Sequence, residues 1–350
     1  MTVFSYAFRV DASTEIGHGH LMRCLTIADM LSKKSLNSCF VSRELSESLH
    51  SKVTSMGHEL FILPTPINES FDWEKDSALT KEIVDSLNIK WLIVDHYSID
   101  YLWEQKLKSK NKKLMVIDDL ANRAHDCDVL LDQNLGRTNL DYVNLVPEKS
   151  NILTGLDYCL IRDEFINMRS ASLQYRENTD LKNILISMGG SDPQNITTKI
   201  LQRLNNCTIS IDAKISILLG GASPHISSVK EQLSKMPWET KIYVDVQKMA
   251  ELLATQDLVI GAVGTSAWER CCLGIPSISV VLAENQKPGA IALHQSKGSI
   301  VIDQEFSDGH NFESAIAFFA NARNLIAASK VSADLVDGYG AKRVIEHIQK

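Results

Sequence analysis

FSYAFRVDASTEIGHGHLMRCLTIADMLS, residues 4–32, decides how the chain is read. Phe4–Val10 is apolar and β-prone, and the stretch from Gly19 to Ser32 carries apolar residues at helical spacing. Between them lies Gly17-His18-Gly19-His20. A strand running through a glycine turn into a helix is the opening unit of a parallel α/β sheet. Gly17 and Gly19 would let backbone approach a ligand, and the helix would aim its free amides at a phosphate. A histidine in the first turn has an unperturbed pKa of ~6.5, suited to proton transfer near neutral pH. Alone the motif is a weak signal, because such turns often carry glycine for steric reasons. Two histidines and Arg23 crowding the same turn tilt the reading toward function.

Working outward, β-rich runs alternate with helical patterns to the end of the chain. Strands are expected at 38–41, 60–63, 91–94 and 113–117, with helices near 77–87 and 101–108. The stretch from 157 to 180, containing RDEF and Ser-Ala-Ser, reads as a connection between domains. A second series then begins, with strands at 183–187, 214–219, 240–244, 258–260, 277–281 and 300–302. Helices fall between these strands, and two more, at about 312–329 and 340–349, close the chain. The expected fold class is α/β, with two Rossmann-like domains and a cleft between them. Residues 1–160 would form the first domain and 181–335 the second, with a final helix at 336–350 that returns to the first.

Composition narrows the function. A chain of 350 residues with 44% hydrophobic residues is long for one core and favours two domains. A net charge of −7 argues against a general nucleic-acid binder. Seven scattered cysteines, none spaced as CxxC, fit reduced thiols rather than a disulfide framework or structural zinc. No basic leader with an apolar run opens the sequence, and no stretch reaches the ~18 apolar residues that span a bilayer. A soluble, cytoplasmic protein is the expectation, with a monomer as default.

Further motifs sit where strands end. Ser187-Met-Gly189-Gly190-Ser191-Asp192-Pro193 is a turn that either closes on a substrate or caps a helix with Asp192 and Pro193. In Gly264-Thr265-Ser266-Ala-Trp-Glu269 small residues open a helix that could cradle a diphosphate, and Glu269 could accept two ribose hydroxyls. Plain capping by Thr265 or Ser266 is the alternative. Asp95-His96-Tyr97 follows the strand WLIV and should point into a ligand site, though a packed tyrosine and a capping aspartate fit as well. Asp118-Asp119 could suggest a cation, but no acidic cluster completes the shell, so no metal is expected. Glu284-Asn285-Gln286 could read a base or an amide, or form a turn.

In order, these segments, together with IDDLANR, LLDQNLG and the closing DGYGAKRV, resemble the UDP-sugar hydrolase family of pseudaminic acid biosynthesis. A spore-coat polysaccharide protein of the same architecture is related to that family. The resemblance runs nearly the whole chain and implies a glycosyltransferase-B architecture, with water in place of a sugar acceptor and no cofactor. It implies that His20 is catalytic while His18 fills a variable position. Tyr97 and Asn285 fall where sugar and water are expected, and Gly264, Thr265 and Ser266 would meet the diphosphate, with Glu269 on the ribose. Arg9, Asp11, Gly17, Gly19, Asp95, His96, Gly189, Gly190, Asp192, Glu284 and Gln286 are the remaining candidate substrate contacts. The alternatives are a UDP-sugar glycosyltransferase, a hydrolysing 2-epimerase, or a non-catalytic nucleotide-sugar binder.

Overall fold

The computed structural model describes residues 3–13, 18–64, 71–221, 223–304 and 312–349. The chain divides into two compact units, Met1–Leu160 with Tyr339–Lys350, and Ile161–Gly338.

The first unit runs β1 (Phe4–Val10), α1 (Gly19–Ser32), β2 (Asn37–Ser42), α2 (Glu47–Ser55), β3 (Glu59–Ile62) and α3 (Trp73–Ser86). It continues through β4 (Trp91–Asp95), α4 (Tyr101–Leu107), β5 (Lys113–Ile117), β6 (Val129–Asp132) and β7 (Asn151–Thr154). The seven strands pair in the order β3-β2-β1-β4-β5-β6-β7, and every pairing is parallel. Helices cover such a sheet on both faces, so its strands are apolar without alternation, as WLIV in β4 shows. Phe8 of β1 stacks on Phe40 of β2 with ring centroids 4.9 Å apart.

The second unit begins with α5 (Asp163–Tyr175), β8 (Asn183–Ser187), α6 (Ile196–Leu204), β9 (Lys214–Leu219) and α7 (Ile226–Leu233). Next come β10 (Glu239–Val244), α8 (Met249–Ala254), β11 (Leu258–Ala262), α9 (Thr265–Cys272), β12 (Ser277–Val281), α10 (Lys287–Ser296) and β13 (Ser299–Asp303). Helices α11 (Phe312–Phe319) and α12 (Ala322–Leu335) complete it. Its six strands lie in the order β10-β9-β8-β11-β12-β13, again all parallel. The last helix, α13 (Gly340–Ile348), packs in the first unit, where Ala341, Val344, Ile345 and Ile348 join the core beside Leu21, Leu25 and Leu31 of α1. Their three- and four-residue spacing places them on one face.

Both sheets have doubly wound, Rossmann-like topology, as the sequence leads one to expect. Three local readings change. The presumed connection at 157–180 contains the 13-residue helix α5. It buries only Phe165 and Ser172, so periodicity is faint. The helix expected near 312–329 is two, broken where Asn321 caps α12 by accepting from the amide of Arg323 at 3.0 Å. Helix α3 starts four residues earlier than expected because the Asp72 side chain caps it, accepting from the amide of Lys75.

In each unit one strand has its sequence-successor on one side and a crossover strand on the other. That reversal lies between β1 and β4 in the first unit and between β8 and β11 in the second. Ligands of open α/β sheets bind outside the carboxyl ends of the strands at this switch point. His20 at the start of α1, Asp95-His96-Tyr97 after β4, Gly189-Gly190 after β8 and Gly264-Thr265-Ser266 at the start of α9 all lie at these ends.

Candidate functional site

In the first unit the residues at the β1–β4 switch point form two networks with different tasks. His20, in the first turn of α1, directs Nδ1 at Asp95 Oδ1 across 2.5 Å. Asp95 ends β4 and is buried. Its carboxylate also accepts from Arg23, at 2.5 Å from Nε and 2.7 Å from Nη2. Burial alone would raise the Asp95 carboxyl, but the Arg23 charge and His20 overcome it and hold it well below the usual carboxylate range. An ionised Asp95 accepts from Nδ1–H, so in the neutral form of the ring the lone pair lies on Nε2. Arg23 Nη2, 3.1 Å from Nδ1, then bonds the carboxylate rather than the ring.

Arg23 continues to Asp119 Oδ2 at 3.1 Å, and the same oxygen accepts from the Tyr97 hydroxyl at 3.3 Å. The Tyr97 ring meets His20 edge to face, with centroids 4.5 Å apart. Burial, reinforced by the Asp119 charge, pushes the Tyr97 phenol up, so it stays a neutral donor. His20 and the Asp95-His96-Tyr97 motif, read separately in the sequence, therefore bring three side chains together: His20, Asp95 and Tyr97. A neutral imidazole backed by a buried carboxylate is an arrangement that can accept a proton from water and stabilise the imidazolium that forms.

The second network is structural. Arg9 is 0% exposed, with Nη1 and Nη2 on Asp11 and Nε and Nη2 on Asp76. Asp11 also accepts the backbone amide of Arg43 at 2.7 Å, and Asp76 accepts Trp103 Nε1 at 2.9 Å. Arg9 and Asp11, expected as substrate contacts, stand in a buried strut tying β1 to α3, α4 and the loop after β2. His96 is committed as well. Its Nδ1 accepts from the amide of Ser98 and its Nε2 donates to Asp11, each at 3.1 Å. Gly17 lies outside the described residues, while Gly19 opens α1.

The Asp118-Asp119 pair splits in role. Asp118 accepts the amide of Ala121 at 2.8 Å and the hydroxyl of Tyr142 at 3.0 Å, a turn-forming part. Asp119 instead joins Arg23 and Tyr97. Among the described residues no group of three or more His, Cys, Asp or Glu is placed to hold a metal ion.

In the second unit Gly189 has a φ of 90°, a left-handed turn that glycine adopts without strain, and it lies exposed with Gly190 after β8. Asp192 is buried and its two oxygens accept the amides of Ile196 and Thr197, each at 2.9 Å. It caps α6, as the capping alternative expects. Gly264 precedes α9 in extended conformation, with Thr265 and Ser266 in the first turn. Glu269, one turn on, is held through Oε1 by Arg162 Nε and Nη2, both at 2.8 Å. Arg162 also pairs with Glu164. Glu284, Asn285 and Gln286 form a single 3₁₀ turn, in which Gln286 accepts the amide of Leu282 at 3.0 Å and Glu284 pairs with Lys287.

Sequence reasoning missed three basic partners: Arg23 as the link between Asp95 and Asp119, Arg162 on Glu269, and Arg270 beneath Ser266. Only Arg23 left a trace, lying three residues after His20 on one helix face.

Residues 183–342 match the glycosyltransferase family 28 C-terminal domain. The chain is 27% identical over 288 residues to the UDP-2,4-diacetamido-2,4,6-trideoxy-β-L-altropyranose hydrolase of Campylobacter jejuni, covering 81% of this chain and 93% of that protein. It is 24% identical over 303 residues to the spore coat polysaccharide biosynthesis protein SpsG of Bacillus subtilis, covering 84% of each. Among solved structures it resembles MurG of Acinetobacter baumannii, with a TM-score of 0.72, 13% identity and 99% of both chains covered. The chain thus has the glycosyltransferase-B fold, built from two Rossmann-like α/β units.

Proposed function

We propose that the chain is a UDP-sugar hydrolase that converts UDP-2,4-diacetamido-2,4,6-trideoxy-β-L-altropyranose to UDP and the free sugar, as a step of pseudaminic acid biosynthesis. The observation that carries this reading is the His20–Asp95 pair, 2.5 Å apart at the switch point of the first sheet. His20 Nε2 takes a proton from water as the water oxygen bonds to C1. The bond from C1 to the β-phosphate oxygen breaks with inversion, and UDP leaves with that electron pair. UDP is a good leaving group, so donors for the growing phosphate charge matter more than a strong acid. Gly264, Thr265 and Ser266 supply them, Glu269 takes the ribose, and Tyr97 and Asn285 meet sugar and water. Gly189 and Gly190 give backbone access beside the substrate.

The similarity to the Campylobacter hydrolase supports the substrate. The family 28 match favours a second reading, transfer of a sugar from UDP to an acceptor. Among the described residues no helix is long and apolar enough to cross a membrane, and all seven cysteines are free. We read the protein as a cytoplasmic monomer that uses water as acceptor and needs no metal. The experiment is UDP release from the purified protein and UDP-sugar alone. Release that a His20→Asn variant lacks fits hydrolysis, and release that requires an added acceptor fits transfer.

A further inference from the structure

Among the described residues, Arg270 is a buried cation whose hydrogen-bond partners are all neutral. It lies on α9 and is 3% exposed. Nε donates to Ser277 Oγ at 3.1 Å, Nη1 to Ser266 Oγ at 3.3 Å and Nη2 to the carbonyl of Ala262 at 3.1 Å. The absence of a side chain at Gly261 makes room, since a Cβ there would stand 2.9 Å from Nη1. The adjacent carboxylate, Glu269, is taken by Arg162. Burial lowers the Arg270 pKa to about 10, and the neighbouring Cys271 and Glu269 offset only part of that.

Helix direction sharpens the point. The unit's other buried arginine, Arg176, donates to the carbonyls of Ala254 at 3.1 Å and Leu253 at 3.3 Å, at the C-terminus of α8. There the last carbonyls of the helix face its charge, and burial lowers its pKa to about 10 as it does for Arg270. The Arg270 side chain reaches back toward the N-terminus of its helix, to Ser266 and Ala262, as helical side chains tilt. That end is positive. A desolvated cation at a positive helix end is disfavoured twice, and an anion would relieve both terms.

We infer that Arg270 is the fixed counter-charge for the diphosphate of a nucleoside diphosphate seated at the N-terminus of α9. It acts from beneath rather than by direct contact. Its Nη1 donates to Ser266 Oγ, which polarises that hydroxyl and leaves its proton to be donated outward. Ser266 itself is exposed. Arg270 is a positioning residue, and the inference rests on UDP binding at this turn.

The test compares UDP and uridine binding by calorimetry for the wild type, Arg270→Met and Arg270→Lys. Arg270→Met is expected to weaken UDP by ~10–100-fold while leaving uridine within twofold. Arg270→Lys keeps the charge and should stay within about fivefold of wild type. The salt dependence of UDP binding should flatten in Arg270→Met alone. UDP affinity in Arg270→Met within twofold of wild type overturns the inference, as does equal loss of UDP and uridine in a folded variant. If Arg270→Met does not fold, a Lys variant that folds and loses UDP as fully as an Ser266→Ala control overturns it too. Wild-type protein that binds uridine and UDP alike, or neither, contradicts the UDP-binding reading itself.

Discussion

Replacing Asp95 with Asn isolates what the buried carboxylate does for His20. When His20 takes a proton, its positive charge forms beside Asp95, whose Oδ1 lies 2.5 Å from Nδ1. Unit charges about 4 Å apart at an effective dielectric of about 20 attract by ~4 kcal/mol. Arg23 already forks onto the same carboxylate and shares that field. Halving the attraction leaves ~2 kcal/mol, or a ~30-fold loss in kcat. Asp95→Asn should therefore lower kcat by ~10–100-fold while KM changes little. Arg23 keeps Asp119, so the fold should survive with about 2–3 kcal/mol less stability. The assay is UDP release at a temperature where circular dichroism shows both proteins folded. His20→Asn alone should cost ~10²–10⁴-fold, and adding Asp95→Asn should cost little more, because Asp95 acts through His20. A double variant in which the two losses multiply would refute the dyad.

The buried strut predicts that Arg9→Ala lowers stability by about 3–5 kcal/mol in urea denaturation, because it leaves Asp11 and Asp76 without their cation; a small stability change with a large rise in KM would restore Arg9 as a ligand contact. Asp11 and Asp95 are both held below the usual carboxylate range despite burial. Depressed carboxylates add stability that is present above the unfolded pKa of about 3.9 and is lost as pH falls through the folded value. The Tm should thus fall as pH drops from about 5 to 3, and a Tm that rises over that window would contradict the ionised pairs. Glu269→Gln should weaken UDP by ~10-fold and 2′-deoxy-UDP by less, measured by calorimetry, since a carboxylate bonds the ribose hydroxyls more strongly; equal losses would remove Glu269 from the ribose. Chelation should leave the rate unchanged, and a loss restored by Mg²⁺ would contradict a metal-free site.

The alternation of short apolar runs and amphipathic stretches made both sheets legible, because a strand covered on both faces must be apolar throughout and its crossover helix must show one apolar face. Helix α5 escaped, since its buried surface is small. At the site, residue types at strand ends pointed to the loops at the two switch points, but not to which side chains are spent on the fold. Arg9, Asp11 and His96 look functional in sequence because they are polar and stand at the ends of β1 and β4. Only the fold shows that Asp76, 67 residues beyond Arg9, consumes the guanidinium. Asp192 looked equally like a cap and a contact, and two backbone amides show the cap, which sequence alone could not single out. The arginines were missed for the same reason in reverse. Arg162 and Arg270 become informative only beside Glu269 and Ser266, contacts that long-range folding makes or one helical turn orients.

The most direct test of the account is proton NMR of the purified protein with UDP-2,4-diacetamido-2,4,6-trideoxy-β-L-altropyranose alone, following the anomeric region from the first turnover. The account predicts UDP and free sugar in equal amounts without any acceptor, with the inverted anomer appearing first and release by His20→Asn slowed ~10²–10⁴-fold. An unchanged substrate, release only with an added acceptor, or first appearance of the retained anomer would contradict it.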